Sequence, residues 1–146
     1  MTWTKDSLIE AARDAATRAY APYSNFHVGA ALLLDDGKIV TGSNFENASY
    51  GMTLCAETVA IAKANSDGQM RRIVAIAVAG GPKSSEGGAV IGAEPITPCG
   101  RCRQVIKEVA DEVAIDLPVH CAHASGYETH LLSELLPYGF GPASLR

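Results

Sequence analysis

The chain has 146 residues, 47% of them apolar and 19% charged, and a formal net charge of −4. That length and balance fit one globular domain, residues 1–146, with a core of its own. The acidic balance leaves no basic stripe for nucleic acid, and the apolar runs are too short and broken to span a membrane.

In chain order, the first predicted element is a helix. Thr4 is placed to cap it, and Leu8, Ala11, Ala12, Ala15 and Ala19 recur at helical spacing up to Tyr20. The start "MTWTKDSLIEAARDAA" is amphipathic and lacks a signal-type apolar segment, so a cytoplasmic protein is expected. Pro22 in "APYSNF" ends the helix. Residues 28–34 form an apolar strand, "DDGK" a hairpin turn, and residues 39–44 its antiparallel partner. The alanine-rich run 54–64 predicts a buried second helix. "IVAIAVA", 73–79, predicts a central strand covered on both faces. Residues 80–97 carry many Gly and Ser and read as a long loop. A helix over 102–110, a short strand over 118–122, a turn at "SGYE" and a strand over 128–131 follow. Ser133 is placed to cap a last helical turn, "ELL". The order predicts an α/β fold of three layers, α/β/α, around a five-stranded mixed sheet. In the tail "LLPYGFGPASLR", Tyr138 and Phe140 stand among Pro and Gly and need a surface, which another subunit can supply.

Four cysteines are present, and a chain of this size in the cytoplasm needs no disulfides. In "TPCGRCRQ", Cys99 and Cys102 lie one turn apart if a helix begins near Cys99. Pro98 suits the edge of a helix start, and the free amides of a first turn favour thiolate. Alone, C-x-x-C fits half a zinc site, a redox pair or two unrelated core thiols. "TLCAET" supplies a third thiol: Cys55 occupies the same position at the start of the second helix. Three thiolates converge if the two helix starts meet above neighbouring strand ends. Three protein ligands with an open fourth position are the pattern of catalytic zinc, whose bound water loses its proton near neutral pH. A closed site with a histidine as fourth ligand stays open as an alternative. His27, in a loop, and His120, His123 and His130, on the late strands, are assigned to surface or core. Cys121 is assigned as a buried, inert thiol.

Glu57 falls in the first turn of the second helix, where the dipole alone favours an acid. Buried carboxylates are rare unless paired, so its place beside three thiols points to a proton carrier. This requires Cys55 at the very edge of the helix, because positions two apart diverge on a regular one. C-x-E followed by P-C-x-x-C is the all-cysteine form of the established zinc-deaminase signature. The chemistry is hydrolytic loss of ammonia from C4 of cytosine. Glu57 carries one proton of the water to N3 and then helps to protonate the departing amine with the other.

These motifs sit within a wider likeness. From "YAPYSNFHVGAALL" through "GSNFENASYG", "CAET" and "PCGRCRQV" to "ELLPYGFGP", the chain resembles the small homotetrameric zinc-dependent cytidine deaminases of nucleoside salvage. The resemblance implies deamination of cytidine and 2'-deoxycytidine, with one Zn2+ per subunit on Cys55, Cys99 and Cys102 and Glu57 as proton shuttle. It implies that Asn44 and Glu46 hold the ribose 3'-hydroxyl, that Phe26 packs on the pyrimidine, and that the Ala56 backbone meets the ring's polar edge. It implies that Phe140 reaches a neighbouring subunit's site and that Tyr50 approaches the adjoining pocket. The expected partners are a small nucleoside and three further copies of the chain, with sites near the interfaces, and no nucleic acid or membrane.

The residues support part of this directly. Asn44 and Glu46 alternate with Phe45, so both face one side if the chain stays extended. An amide and a carboxylate grip a hydroxyl from its acceptor and donor sides. The plainer reading of "NFENAS" is a turn closed by Asn47. One departure stands out: the family often carries arginine after the catalytic glutamate, and here the residue is Thr58. Three thiolates and one Zn2+ leave a net −1. Arg103 is expected to share in balancing that charge with the helix ends, and Thr58 to donate a hydrogen bond in place of the guanidinium. Blasticidin S-type deaminases share C-x-E and "PCGRCRQ" but lack "NFEN". A structural zinc module would have a closed ligand set and no carboxylate beside the metal.

Overall fold

Alternation along one strand sets the layers. In β1 (Phe26–Leu34), Ala30, Leu32 and Leu34 face one side and Ala31 and Leu33 the other. All five are buried in the computed structural model, which describes residues 4–146. Residues 1–3 of the amphipathic start lie outside the described range.

On one side, α1 (Lys5–Ala16) packs Leu8, Ile9 and Ala12 onto Ala31 and Leu33 and onto Ala75, Ala77 and Ala79 of β3 (Ile73–Pro82). On the other, α2 (Ala56–Ser66) and α3 (Gly100–Val113) pack Ala60, Ile61, Ile106 and Val109 onto Leu32, Ile76 and Val78. Each buried Leu or Ile contributes about 1.5–3 kcal/mol, so both outer layers are held by the same central strands. The sheet adds β2 (Ile39–Ser43), β4 (Pro118–His123) and β5 (Gly126–Leu131), in the order β2-β1-β3-β4-β5. Only β3 and β4 pair in parallel; every other neighbouring pair is antiparallel. A parallel pair needs a crossover, and the segment 83–99 with α3 provides it. The expected three layers and five-stranded mixed sheet are therefore present.

Element ends differ from the expectation where tertiary bonds compete. α1 stops at Ala16 instead of Tyr20, because the Tyr20 amide donates to Asn44 O (3.0 Å) and its carbonyl accepts from Glu46 N (2.9 Å). β1 begins at Phe26, which puts His27 in a strand and not a loop. Its edge residues pair with Pro82 and Gly81 of β3, which runs three residues beyond Ala79. β5 begins at Gly126, inside the predicted turn. The short α4 (Leu132–Leu135) is capped at Leu131, whose amide donates to Glu134 (2.9 Å). Ser133 instead sits within α4 and bonds Asp116 through its amide (2.9 Å) and hydroxyl.

One glycine decides where α2 lies. A Cβ at Gly42 of β2 would stand 2.5 Å from both Ala56 O and Ala60 N. Only glycine allows that backbone-to-backbone approach. It brings the N-terminus of α2, and with it Cys55, down onto the sheet edge.

Candidate metal centre and adjoining cleft

Two helix starts meet, which is the condition on which the three thiols converge. Cys55 is the N-cap of α2 and Cys99 the N-cap of α3, both with extended backbone. Neither sulfur is used as a capping acceptor, so both are available to a ligand. Cys102, in the first turn of α3, is fully buried. The three sulfurs lie within 4.8 Å of one another, and Cys55 Sγ and Cys99 Sγ are 3.6 Å apart. Sulfurs around a tetrahedral zinc at the usual Zn–S distance stand about 3.8 Å apart, so the donors match that ion in type and spacing. All four cysteines are free thiols, and none of the four histidines joins the cluster.

The sulfurs are coupled to each other. Hydrogen bonding with Cys102 lowers the Cys55 thiol, and the same bond, with burial, raises Cys102. Zinc binding must displace those protons. Thr58 Oγ1 lies 3.3 Å from Cys102 Sγ, where a hydroxyl can donate to the sulfur. Cys121 is fully buried in β4 and outside the cluster; burial, with the charges of Glu57 and Glu128, pushes its thiol up to about 12.

Glu57 is the second residue of α2 and only 3% exposed. Burial holds its carboxyl above the usual range, against hydrogen bonds from its own amide and Cys102. It opens, with Cys55 and Cys99, onto a cleft of about 460 Å³. Phe26, Val28, Val78 and Ile96 give this cleft apolar walls, and Asn44 and Glu46 give it a polar end. A flat ring fits between such walls with its polar edge towards Glu57 and the sulfurs. A larger hollow of about 640 Å³ beside α3 and the C-terminal segment contains none of the predicted site residues.

At the polar end the strand-like alternation holds. Asn44 and Glu46 are buried and line the cleft, while Phe45 between them is exposed. Asn44 has a second task the sequence does not reveal. Its Oδ1 accepts from Val28 N and its Nδ2 donates to Phe26 O, each at 2.9 Å, extending the β1–β2 ladder with a side chain. One Nδ2 proton remains for a ligand. Glu46 Oε1 accepts from Tyr23 N (2.9 Å) and Ser24 N (3.1 Å), and Oε2 from Ser24 Oγ. Burial opposes its charge, but these bonds, Ser24 Oγ first, keep it below the usual carboxylate range. Nothing in the local spacing points to Ser24 as a partner of Glu46. Asn25, at φ 54°, turns the chain back so that Ser24 reaches Glu46, and only its tolerance of that conformation hints at this.

The remaining predicted residues divide. Ala56 is buried at the first turn of α2. Tyr50 is 74% exposed and borders a neighbouring hollow with Tyr23, Ser24, Glu46 and Thr53, outside the cleft itself. Phe140 is 59% exposed and does not line its own chain's cleft; its carbonyl accepts from Gln104 Nε2 (2.8 Å). Arg103 donates to Pro98 O (2.7 Å), Leu135 O (2.8 Å) and Thr97 Oγ1 (2.9 Å), and to no sulfur.

A family model described as the cytidine and deoxycytidylate deaminase zinc-binding region matches residues 2–115. Over 137 residues the chain is 44% identical to the cytidine deaminase of Halalkalibacterium halodurans, covering 93% of each chain. It is 45% identical over 131 residues to that of Mycobacterium tuberculosis, covering 89% of this chain and 84% of the other. A crystal structure of cytidine deaminase from Burkholderia pseudomallei is similar with a TM-score of 0.80 and 42% identity, covering 94% of this chain and 100% of that one. The crystal structure of cytidine deaminase from Mycobacterium tuberculosis gives a TM-score of 0.71 and 38% identity, covering 96% of this chain and 99% of that one.

Proposed function

The chain belongs to the family of the cytidine and deoxycytidylate deaminase zinc-binding region, and on that premise we propose that it converts cytidine and 2'-deoxycytidine, with water, to the uridines and ammonia. The observation that carries this reading is the convergence of three free sulfurs beside a buried carboxylate in one cleft. Cys55, Cys99 and Cys102 hold one Zn2+ per subunit. The ion supplies Lewis acidity that makes a water proton removable near neutral pH.

The chain's own residues do the rest. Burial raises the Glu57 carboxyl, so it takes up a proton more readily than an exposed glutamate. From there that proton passes to N3 of the ring, where the product keeps it, and Glu57 then carries the second proton of the water to the departing amine. Phe26, with Val28, Val78 and Ile96, sandwiches the base and excludes bulk water. The Ala56 amide, free at a first turn, meets the ring's polar edge. Asn44 and Glu46 hold the ribose 3'-hydroxyl, Glu46 as a fixed acceptor and Asn44 through its spare proton. Thr58 donates to the Cys102 sulfur and spreads part of its charge.

Incubation with cytidine, deoxycytidine, cytosine and blasticidin S, followed by ammonia release, tests this. Both nucleosides turn over, and the free base has a kcat/KM about 10- to 100-fold lower, the loss of a charge-assisted hydrogen bond. Equal turnover of free base would remove the sugar grip. Preference for blasticidin S would move the chain to the antibiotic deaminases.

The whole chain, 1–146, acts as one catalytic domain, since α2, α3 and the strand leading to Asn44 share one sheet. Its assembly is a homotetramer in which Tyr50 and Phe140 approach a neighbour's cleft. Tyr20, Phe45, Tyr50, Met52 and Phe140 are exposed apolar groups that such contacts would cover. Sedimentation of a stable monomer at micromolar concentration would exclude it. No described helix is long and apolar enough to cross a membrane, and four free thiols suit the cytoplasm.

A further inference from the structure

The three sulfurs are not held equally well. Cys102 is locked by the packing of α3, and Cys55 by the seating of α2 on Gly42 and the paired bonds between Phe45 and Leu54 (2.9 Å each). Cys99 follows the irregular segment 93–98, which makes no backbone-to-backbone hydrogen bond among the described residues. Cys99 is an exposed residue, whereas Cys102 is buried. Pro98 is held by full burial and the Cys99 carbonyl by the Arg103 amide (2.9 Å), but the side-chain hydrogen bonds to Thr97 and Pro98 come from one residue. Arg103 Nε binds Pro98 O at 2.7 Å and Nη2 binds Thr97 Oγ1 at 2.9 Å. Nη1 binds Leu135 O at 2.8 Å, which anchors the guanidinium to the end of α4, 32 residues away.

We propose that Arg103 is a positioning residue of the metal centre, whose planar fork fixes Thr97 and Pro98 and so presents the Cys99 sulfur. The inference rests on the zinc reading above. Three donors on one rigid plane set three directions at once, which a lysine ammonium on a flexible stem does not reproduce. Lysine keeps the charge. The fork is therefore separated in one substitution from the charge balance expected of Arg103 on sequence grounds.

The test compares wild type, Arg103→Lys and Thr97→Val. One readout is the rate of zinc loss to excess chelator; the other is the visible absorption of the Co(II)-loaded protein, which reports ligand geometry. Arg103→Lys speeds zinc loss by about 10- to 100-fold and shifts the cobalt bands, the size seen when partners of metal ligands are removed. Thr97→Val, at an exposed position, keeps the charge and two of the three bonds and moves both readouts the same way by less. Wild-type zinc loss and cobalt bands in Arg103→Lys would overturn the positioning role and leave charge as the contribution. If Arg103→Lys does not fold, unchanged readouts in Thr97→Val would overturn it. Wild-type protein without stoichiometric zinc would instead overturn the reading beneath it.

Discussion

Glu57→Gln protein keeps its zinc and loses turnover by about 10²- to 10⁴-fold, the usual contribution of a positioned general acid–base. The substitution preserves shape and still fills the buried place beside the sulfurs, but an amide neither takes up nor gives back a proton. Zinc content stays at one per chain because Glu57 is not among the converging donors. The folded protein is not weakened, since a buried carboxylate is itself costly and burial already opposes its charge. Steady-state kinetics with elemental analysis on the same sample decide the matter. An unchanged kcat would take Glu57 out of the mechanism. A loss of zinc along with activity would turn it into a ligand.

The second large effect separates the cysteines. Cys102→Ala releases zinc and brings turnover to background, because two remaining sulfurs cannot hold a catalytic ion in a defined geometry. Cys121→Ala retains both zinc and turnover. It removes one buried group and costs about 1 kcal/mol, as other small truncations of a core do. Both thiols are fully buried, so exposure does not distinguish them. Membership of the cluster does. Zinc retained by Cys102→Ala, or lost by Cys121→Ala, would reassign the ligand set. The Cys102 variant should also melt at lower temperature, because a ligand that binds only the native state stabilises it.

Much of this was legible from local spacing. C-x-E and P-C-x-x-C each lie within one helical turn, and a turn's geometry is the same in any fold, so the positions of Cys55, Glu57, Cys99 and Cys102 within their helix starts could be read directly. The strands followed from apolar runs and the hairpin from "DDGK" for the same reason. Asn44 and Glu46 were legible as a same-sided pair because an extended chain alternates.

What those residues do with their side chains was not legible. Asn44 extends the β1 ladder, Glu46 is fastened by Ser24, and Arg103 reaches Leu135. Each partner is distant in the chain, at separations of 16, 22 and 32 residues. The end of the first helix was misplaced for the same reason, because the segment after β2 took up the backbone groups of Tyr20. Periodicity and caps act over a few residues, so the residue types at each helix start and strand face are written in the local chain. The meeting of two helix starts is not, because it depends on sheet order and on how closely α2 can settle over Gly42.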